Sequence, residues 1–357
     1  MDEKRAIKLG IIGLGNIARL HCDSLQKAGY GGSIAAGLDV DPDARDRFAA
    51  QYDATVYERQ ADLYADVDAV LVTTPNKFHE EYVIGALDAG LDVFVEKPLA
   101  HTVESAKRIV GAAREADGFC MVGFHNRFRN LVQVLRGYRD DGRMGDLRHI
   151  EANYLRRRGV PGRGSWFTRK ALAGGGSLID IGVHAIDLSL YLLDFPEVVE
   201  VSGQTRSTFG TRSEYAYVTM WGEDRGASEF DVDDSTSAFI RCADGSTIAL
   251  EVAWASNRPD SQEYVVRGSG AGARLDLGSD EIELYETVSA DVDHHRTSQV
   301  ATADGDAHGI ELEKFVDSVA AGEPPGTNTV DQALTVQRVM DAIYRSSEKG
   351  RAVSLAE

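Results

Sequence analysis

The sequence predicts an α/β chain in two parts, an N-terminal doubly wound parallel sheet and a C-terminal α+β region built on a mostly antiparallel sheet. Three observations carry this reading. Over residues 1–125, short continuous apolar runs alternate with helical patterns, as strands covered by helices on both faces require. A glycine-rich turn, "GLGNIA" at 13–18, follows the first apolar run and opens the first helical pattern. Past residue 145 the runs alternate apolar and polar residues and follow one another at hairpin spacing.

The elements follow in order. A strand is expected at 7–13, then a helix over 16–28 that stops at Gly29. A strand at 33–39 leads into a helix over 42–51, with Asp41 placed to cap it and Pro42 at its first position. The runs at 69–74, 92–96 and 119–123 read as further buried strands, with helices over 78–90 and 102–116 between them. In the second part, "RHIEANYLRRR" (148–158) alternates like a long strand with one exposed face, and a buried helix is expected over 177–193. "STSAFIRCADGSTIALEVAWAS" (235–256) reads as a hairpin turning at Asp244-Gly245. "EYVVRGS", "ARLDLGS" and "EIELYETV" add short strands, and "DVDHHRTSQVATADGDAHG" reads as the longest loop. Helices over 309–321 and 330–348 close the chain.

At 357 residues there is length for two domains, each with its own core. A hydrophobic content of 43% and a charged content of 27% are those of a soluble globular protein. No run of 18 uninterrupted apolar residues occurs, so no membrane span is expected. The N-terminal "MDEKRAIKLGIIGLG" has the charges of a signal peptide, but glycines break its apolar run and no small-residue cleavage site follows. A net charge of −19 argues against nucleic acid as a partner. Nine lysines against 29 arginines, on an acidic surface, fit a salt-rich cytoplasm. Cys22, Cys120 and Cys242 have no CxxC spacing, so neither a disulfide framework nor a thiolate metal site is expected, and His294-His295 reads as part of a solvated loop.

Two stretches carry chemistry in the first part. In "GLGNIA", Gly13 permits a tight turn, Gly15 lets backbone approach a pyrophosphate, and Ala18 allows close helix–strand packing; the helix N-terminus at Asn16 and Ile17 receives the anion. Asp39 closes the second strand 24 residues after Gly15, where a carboxylate accepts from both ribose hydroxyls and repels a 2′-phosphate. NAD is therefore expected over NADP, with Arg45 and Arg47 nearby as the features that would favour the latter. "TTPNKFH" (73–79) follows another strand, placing Thr74, Pro75 and Asn76 on the ligand edge of the sheet, with His79 either there or capping a helix. The second stretch is "FVEKPLA" (94–100), where an apolar strand ends in Glu96-Lys97-Pro98. Proline makes a rigid corner, with a cis bond at Lys97–Pro98 an option, and sets Lys97 on the same edge.

The second part contributes "GGGSLIDIGVHAIDLSLYLLD" (174–194). In a helix, Asp180 and His184 lie four apart on one face, with Asp187 three further on. A lone histidine on an apolar face is more often a satisfied core residue. Two acids and a histidine in so apolar a segment are costly unless they pair or face a cavity, which favours a site.

"GLGNIA", the Glu96-Lys97-Pro98 corner and "GGGSLIDIGVHAIDL" together resemble the glucose–fructose oxidoreductase / inositol dehydrogenase / MocA family, and "VDQALTVQRVMDAIYRSSEKGRAVSL" resembles its closing helix. The resemblance implies a Rossmann domain over 1–125, an α+β domain over 126–330 whose large open sheet mediates homodimers or homotetramers, and a C-terminal helix over 331–357 packing back on the Rossmann domain. It implies reversible hydride transfer between NAD(P) and a carbinol of a sugar or cyclitol. By position, Lys97 is the family's catalytic-site lysine, His184 its proton-transfer histidine and Asp180 the acid beside it. Glu96 and Lys97 join Gly13, Gly15, Asn16, Ile17, Asp39, Thr74, Pro75, Asn76 and His79 as expected cofactor contacts.

Oxidising a secondary alcohol needs a base for the hydroxyl proton, which His184 can be near neutral pH. Lys97 can stabilise developing alkoxide charge. Asp180 holds the imidazole or binds a neighbouring hydroxyl. Substrate walls are expected from Arg156 and Arg158 on one strand face, from Trp166 stacking on a sugar, and from Asn126 after the last parallel strand; Trp254 reads as core or subunit interface. Two other readings stay open: glycoside cleavage by elimination with transient oxidation, and a non-catalytic NAD-sensing regulator.

Overall fold

The computed structural model describes residues 7–216, 218 and 222–355. The chain divides into two compact units, Met1–Phe128 with Asp306–Gln337, and Arg129–Gly305 with Arg338–Glu357. The expected boundary at 125/126 thus falls at 128/129. Residues 306–330 join the first unit rather than the second, and only the first part of the C-terminal segment, through Gln337, belongs with the Rossmann domain.

The first unit runs β1 (Leu9–Ile12), α1 (Asn16–Lys27), β2 (Ile34–Leu38), α2 (Pro42–Tyr52), β3 (Thr55–Tyr57), α3 (Gln60–Tyr64), β4 (Ala69–Val72), α4 (His79–Asp88), β5 (Asp92–Glu96), α5 (Val103–Glu115) and β6 (Cys120–Gly123). All six strands are parallel, in the order β3-β2-β1-β4-β5-β6. The order reverses between β1 and β4, so their carboxyl ends open the crevice where such sheets take ligands. Continuous apolar strands are what a sheet covered on both faces needs, and β1 and β4 are buried at every residue. Asp41 caps α2 through the Asp43 amide, and Thr102 caps α5 through that of Ser105. The short pair β3 and α3 was not legible in the sequence; β3 is an edge strand of three residues, too short for a period.

The second unit begins with α6 (Asn130–Asp140), β7 (Leu147–Leu155), the single turn α7 (Lys170–Ala173), a π-helical turn over Leu178–Gly182 and α8 (Val183–Leu193). It continues with β8 (Val198–Arg206), β9 (Ser235–Cys242), β10 (Thr247–Ala253), β11 (Ser261–Gly268), β12 (Ala271–Asp276), β13 (Glu281–Val288) and β14 (His294–Val300). Then come α9 (Ala307–Ala321), which belongs to the first unit, α10 (Val330–Lys349), and β15 (Val353–Ser354). The nine-stranded sheet has the order β14-β13-β12-β11-β7-β10-β9-β8-β15 and is antiparallel at every pairing except β7 with β10.

The expected hairpin turns at Gly245, whose φ is +86°. The expected loop containing His294 and His295 is instead the edge strand β14, paired with β13 and largely exposed. Its polar composition hides the strand, because an edge with little burial has no apolar alternation to show. The stretch Lys170–Leu193 is apolar and long enough to cross a bilayer by composition, yet its most apolar window is 83% buried. α8 packs on β7 and β10 as a core helix.

Candidate active site

In the first unit, β1 is followed by Gly13, whose φ of +89° only glycine adopts at ease. The Gly13 amide donates to the Leu38 carbonyl (2.8 Å), and a Cβ here would press on Thr73 and Thr74 at the end of β4. Gly15 is the N-cap of α1 and carries no side-chain cap, and a Cβ built on it meets nothing within 4 Å. The first amides of α1 therefore face open space, and a helix N-terminus is a place where an anion is favoured. Asn16 is exposed beside it, Ile17 is half-buried, and Ala18 is buried against the sheet. The buried Thr74 hydroxyl, lining the same turn, has no hydrogen-bond partner among the described residues.

Asp39 accepts from the Leu14 amide (2.7 Å, Oδ2) and the Asp41 amide (2.9 Å, Oδ1). Each oxygen keeps a further lone pair. Arg45 turns to the Asp39 carbonyl (2.8 Å) and to Glu58 (2.7 Å), and Arg47 lies 3.8 Å from Asp41. Both guanidinium groups already have acidic or carbonyl partners.

The corner after β5 is built from buried polar groups. Lys97–Pro98 is cis, and Lys97 is half-buried. Glu96 Oε2 accepts from the Lys97 amide (3.0 Å), while Oε1 lies 2.6 Å from His21 Nε2. Burial alone raises the Glu96 carboxyl, but the bond and charge of His21 outweigh it and draw the group down to about 2. Each Glu96 oxygen thus has a partner inside the protein, one of them the backbone amide of Lys97. His79, expected among the cofactor contacts, is fully buried: Nδ1 lies 2.9 Å from the Pro98 carbonyl and Nε2 2.9 Å from that of Thr74. It clamps the end of β4 to the proline corner, and burial pushes its pKa below the ordinary histidine value. Pro75 is half-buried, and Asn76 and Asn126 are buried.

In the second unit, the glycines 174–176 lead into the π turn. Asp233 caps it: its carboxylate accepts from the Gly176 amide (2.8 Å), the Leu178 amide (2.9 Å), the Ser177 hydroxyl (2.7 Å) and the Tyr344 hydroxyl (2.7 Å). A Cβ on Gly176 would overlap the Asp233 carbonyl, and one on Gly175 the Tyr344 hydroxyl. Asp180 lies within the π turn, and the buried His184 opens the α-helical part just after it. The sequence anticipated a plain α-helix here; the i→i+5 turn, a form frequent at functional sites, has no sequence period to reveal it.

The parallel pairing of β7 and β10 aligns Leu155 with Ala253, so the next residues, Arg156 and Trp254, leave the sheet together. Trp254 Nε1 donates to Asp180 Oδ2 (2.9 Å), and Arg156 Nη1 lies 3.9 Å from the same oxygen. Trp254 is indeed core, and it is also the donor that holds Asp180. β7 ends at Leu155, so the expected strand alternation does not carry through the arginines. Arg158 forms a bridge with Ala255, bonds Asn257, and stacks over Phe209 at 4.4 Å. Arg156 and Arg158 line a cavity of about 460 Å³ with Asp260 and Gln262. Trp166 stacks on Phe167, ring centroids 3.7 Å apart, so protein covers one of its faces.

Comparison with known proteins settles what this pairing of units belongs to. A family model described as an oxidoreductase family with an NAD-binding Rossmann fold, GFO_IDH_MocA, matches residues 7–124, and one for the GFO/IDH/MocA C-terminal domain matches 132–274. The chain belongs to the Gfo/Idh/MocA oxidoreductase family. This Gfo/Idh/MocA protein is 33% identical over 290 residues to the D-glucoside 3-dehydrogenase of Escherichia coli K12, covering 81% of this chain and 79% of that one. It is 29% identical over 356 residues to the inositol 2-dehydrogenase of Gluconacetobacter diazotrophicus, covering 96% and 94%. Among solved structures, levoglucosan dehydrogenase in complex with NADH and levoglucosan shares the fold at a TM-score of 0.85, with 22% identity over 98% of each chain.

Each unit also holds supporting residues that sequence reasoning missed: His21 in the first, and Asp233 and the hydrogen-bonding role of Trp254 in the second. His21 stands on the face of α1 that buries Ala18, Cys22 and Leu25, where only its spacing to that apolar stripe was available as a signal. The three cysteines are all buried, and burial raises each thiol, that of Cys22 to about 12, which disfavours the thiolate form.

Proposed function

We propose that this chain oxidises a secondary alcohol of a sugar, glycoside or cyclitol with NAD, using Lys97 and His184 on the same substrate carbinol. The observation that carries the reading is the support behind two of the motif residues: Glu96 behind Lys97, and Trp254 with Arg156 behind Asp180, four residues before His184. Bound NAD supplies the hydride acceptor. The amides opening α1 bind its pyrophosphate, and Asp39 accepts from ribose hydroxyls, with NAD preferred to NADP because Arg45 is already engaged. His184 takes the hydroxyl proton, and Lys97 donates a hydrogen bond to the same oxygen, lowering the cost of alkoxide character. Asp180, held by Trp254, orients the imidazole or a neighbouring hydroxyl. Arg156 contributes donors for substrate hydroxyls, with Arg158, Trp166 and Asn126 as outer walls.

Names of the relatives support the substrate class: a glucoside, an inositol and levoglucosan are all carbinol-rich rings. Lys97→Ala and His184→Ala are each expected to lower kcat by about 10²–10⁴ with NAD binding nearly intact; near-parental kcat in either would overturn the role. Asp39→Ala is expected to weaken NAD and relax discrimination against NADP. Net NADH formation with sugar as sole co-substrate supports dehydrogenation, whereas aglycone release without it supports the elimination route. The reading extends to a homodimer or homotetramer in a salt-rich cytoplasm, supported by the broad exposed face of the second sheet around Phe239 and by the net charge of −19.

A further inference from the structure

We infer that His21 is a positioning residue that, through Glu96, fixes where Lys97 presents its ammonium and ties that placement to the helix receiving the cofactor. The inference rests on the reading of Lys97 above and adds a residue outside the reacting set.

His21 lies six residues past Gly15 on α1, on the face packed against the sheet, and its ring is fully buried. An imidazole there is costly unless it is paired. Its partner is a carboxylate at 2.6 Å, and that carboxylate is itself almost fully buried at the end of β5. A buried acid–base pair is a poor way to stabilise a core, since apolar residues of equal volume do as well or better. What this pair achieves is geometric. One Glu96 oxygen accepts from the backbone amide of Lys97 and the other from the ring of His21, so the carboxylate cannot turn without breaking a bond at each end.

The ring is fixed in turn. Its edge meets Phe94 of β5 (centroids 5.5 Å, 79° between planes) and His308 of α9 (5.5 Å, 70°), and His308 stacks on His125 at 3.8 Å. The charged or titratable groups acting on Glu96 are His21, Lys97 and His308. With His21 removed, the buried carboxylate loses its short bond, and the charge of Lys97 becomes the largest cationic influence left on it. Lys97 is then drawn back toward Glu96 and away from a substrate oxygen. A displacement of about 1 Å at a reacting group costs about 10² in rate.

The test compares His21→Leu, His21→Gln and Glu96→Gln in the full chain. Methyl β-glucoside and myo-inositol serve as probe substrates, and NAD affinity is measured separately by fluorescence. For whichever probe the parent oxidises, His21→Leu is expected to lower kcat by about 10² with the KM for sugar and the Kd for NAD within about twofold. His21→Gln, which keeps a donor toward Glu96, recovers most of the loss. Glu96→Gln, near-isosteric and therefore expected to fold, lowers kcat and moves the acid limb of the pH–rate profile to lower pH, because an anion favouring protonated neighbours is gone. The inference is overturned if His21→Leu keeps kcat within about threefold of the parent. It is overturned equally if kcat falls only in step with Tm and NAD affinity and the glutamine variant restores nothing. If the parent oxidises neither probe, a wider panel of sugars, glycosides and cyclitols tests the proposed function separately. Crystal structures of parent and His21→Leu then decide the inference alone, since an unmoved Lys97 side chain rejects it.

Discussion

Two helix starts in this molecule are preceded by glycines, at 13–15 and at 174–176, and they use the same backbone chemistry to opposite ends. At the first, no side chain caps α1 and a Cβ on Gly15 would meet nothing. At the second, Asp233 supplies the anion itself, and a Cβ on Gly176 would strike its carbonyl. A helix N-terminus attracts negative charge in either case. Whether that charge is a ligand's or the protein's own decides whether the turn is a binding site or a structural joint. Glycine in the first turn gives room to something that comes and goes; in the second it gives room to a strand connection that stays.

The contrast can be broken by substitution. Gly176→Ala is expected to cost about 3 kcal/mol of stability by overpacking against Asp233, read as a fall in urea midpoint. An unchanged midpoint would mean that the turn tolerates a methyl group and is no tight joint. Trp254→Phe keeps most of the buried ring and removes the donor to Asp180, costing about 2 kcal/mol and lowering kcat; urea melts and steady-state rates together check it, and full activity would show that Asp180 holds its place without the Trp254 bond. Gly15→Ala is the converse of Gly176→Ala. Its stability should stay within about 0.5 kcal/mol of the parent, while NAD affinity falls about tenfold, or about 1.4 kcal/mol by titration.

A further set of effects is read through pH. Glu96 has a folded value of about 2 against an ordinary 4.5, so the unfolded chain takes its proton first. Its contribution is complete above pH 4.5 and is lost as pH falls toward 2. The stability gap between parent and Glu96→Gln should therefore narrow across that window in denaturant titrations. His79 has its folded value lowered beneath 6.5 by burial. The unfolded chain again binds the proton more readily, and stability declines as pH drops below 6.5; a His79→Gln variant with the same slope would exclude His79 as the cause.

What could be read from the sequence follows a physical division. The strand expected at 92–96 is β5 to the residue, and the helix expected over 42–51 runs one residue longer, as Pro42–Tyr52. Apolar runs, caps and glycine stops act over a few residues, so they leave local traces. The strands β3 and β14 left none, because edges with little burial lack a period. In the candidate site, Lys97, Asp180 and His184 stood out because their motifs are contiguous. The clamping role of His79 is not legible locally, since the two carbonyls it bridges belong to turns 24 residues apart, at Thr74 and Pro98.

The sequence by itself determined two sheets of different kind, a glycine turn fit for a dinucleotide, and the identity of the amine, imidazole and carboxylate on offer. Only the tertiary structure decided what stands behind them: His21 on Glu96 across 75 positions, Trp254 on Asp180 across 74, and Asp233 on the 174–176 turn. Composition and period record what each residue does with water and with its near neighbours. A hydrogen bond between side chains so far apart depends on how strands are ordered and in which register they pair, and no local pattern encodes that.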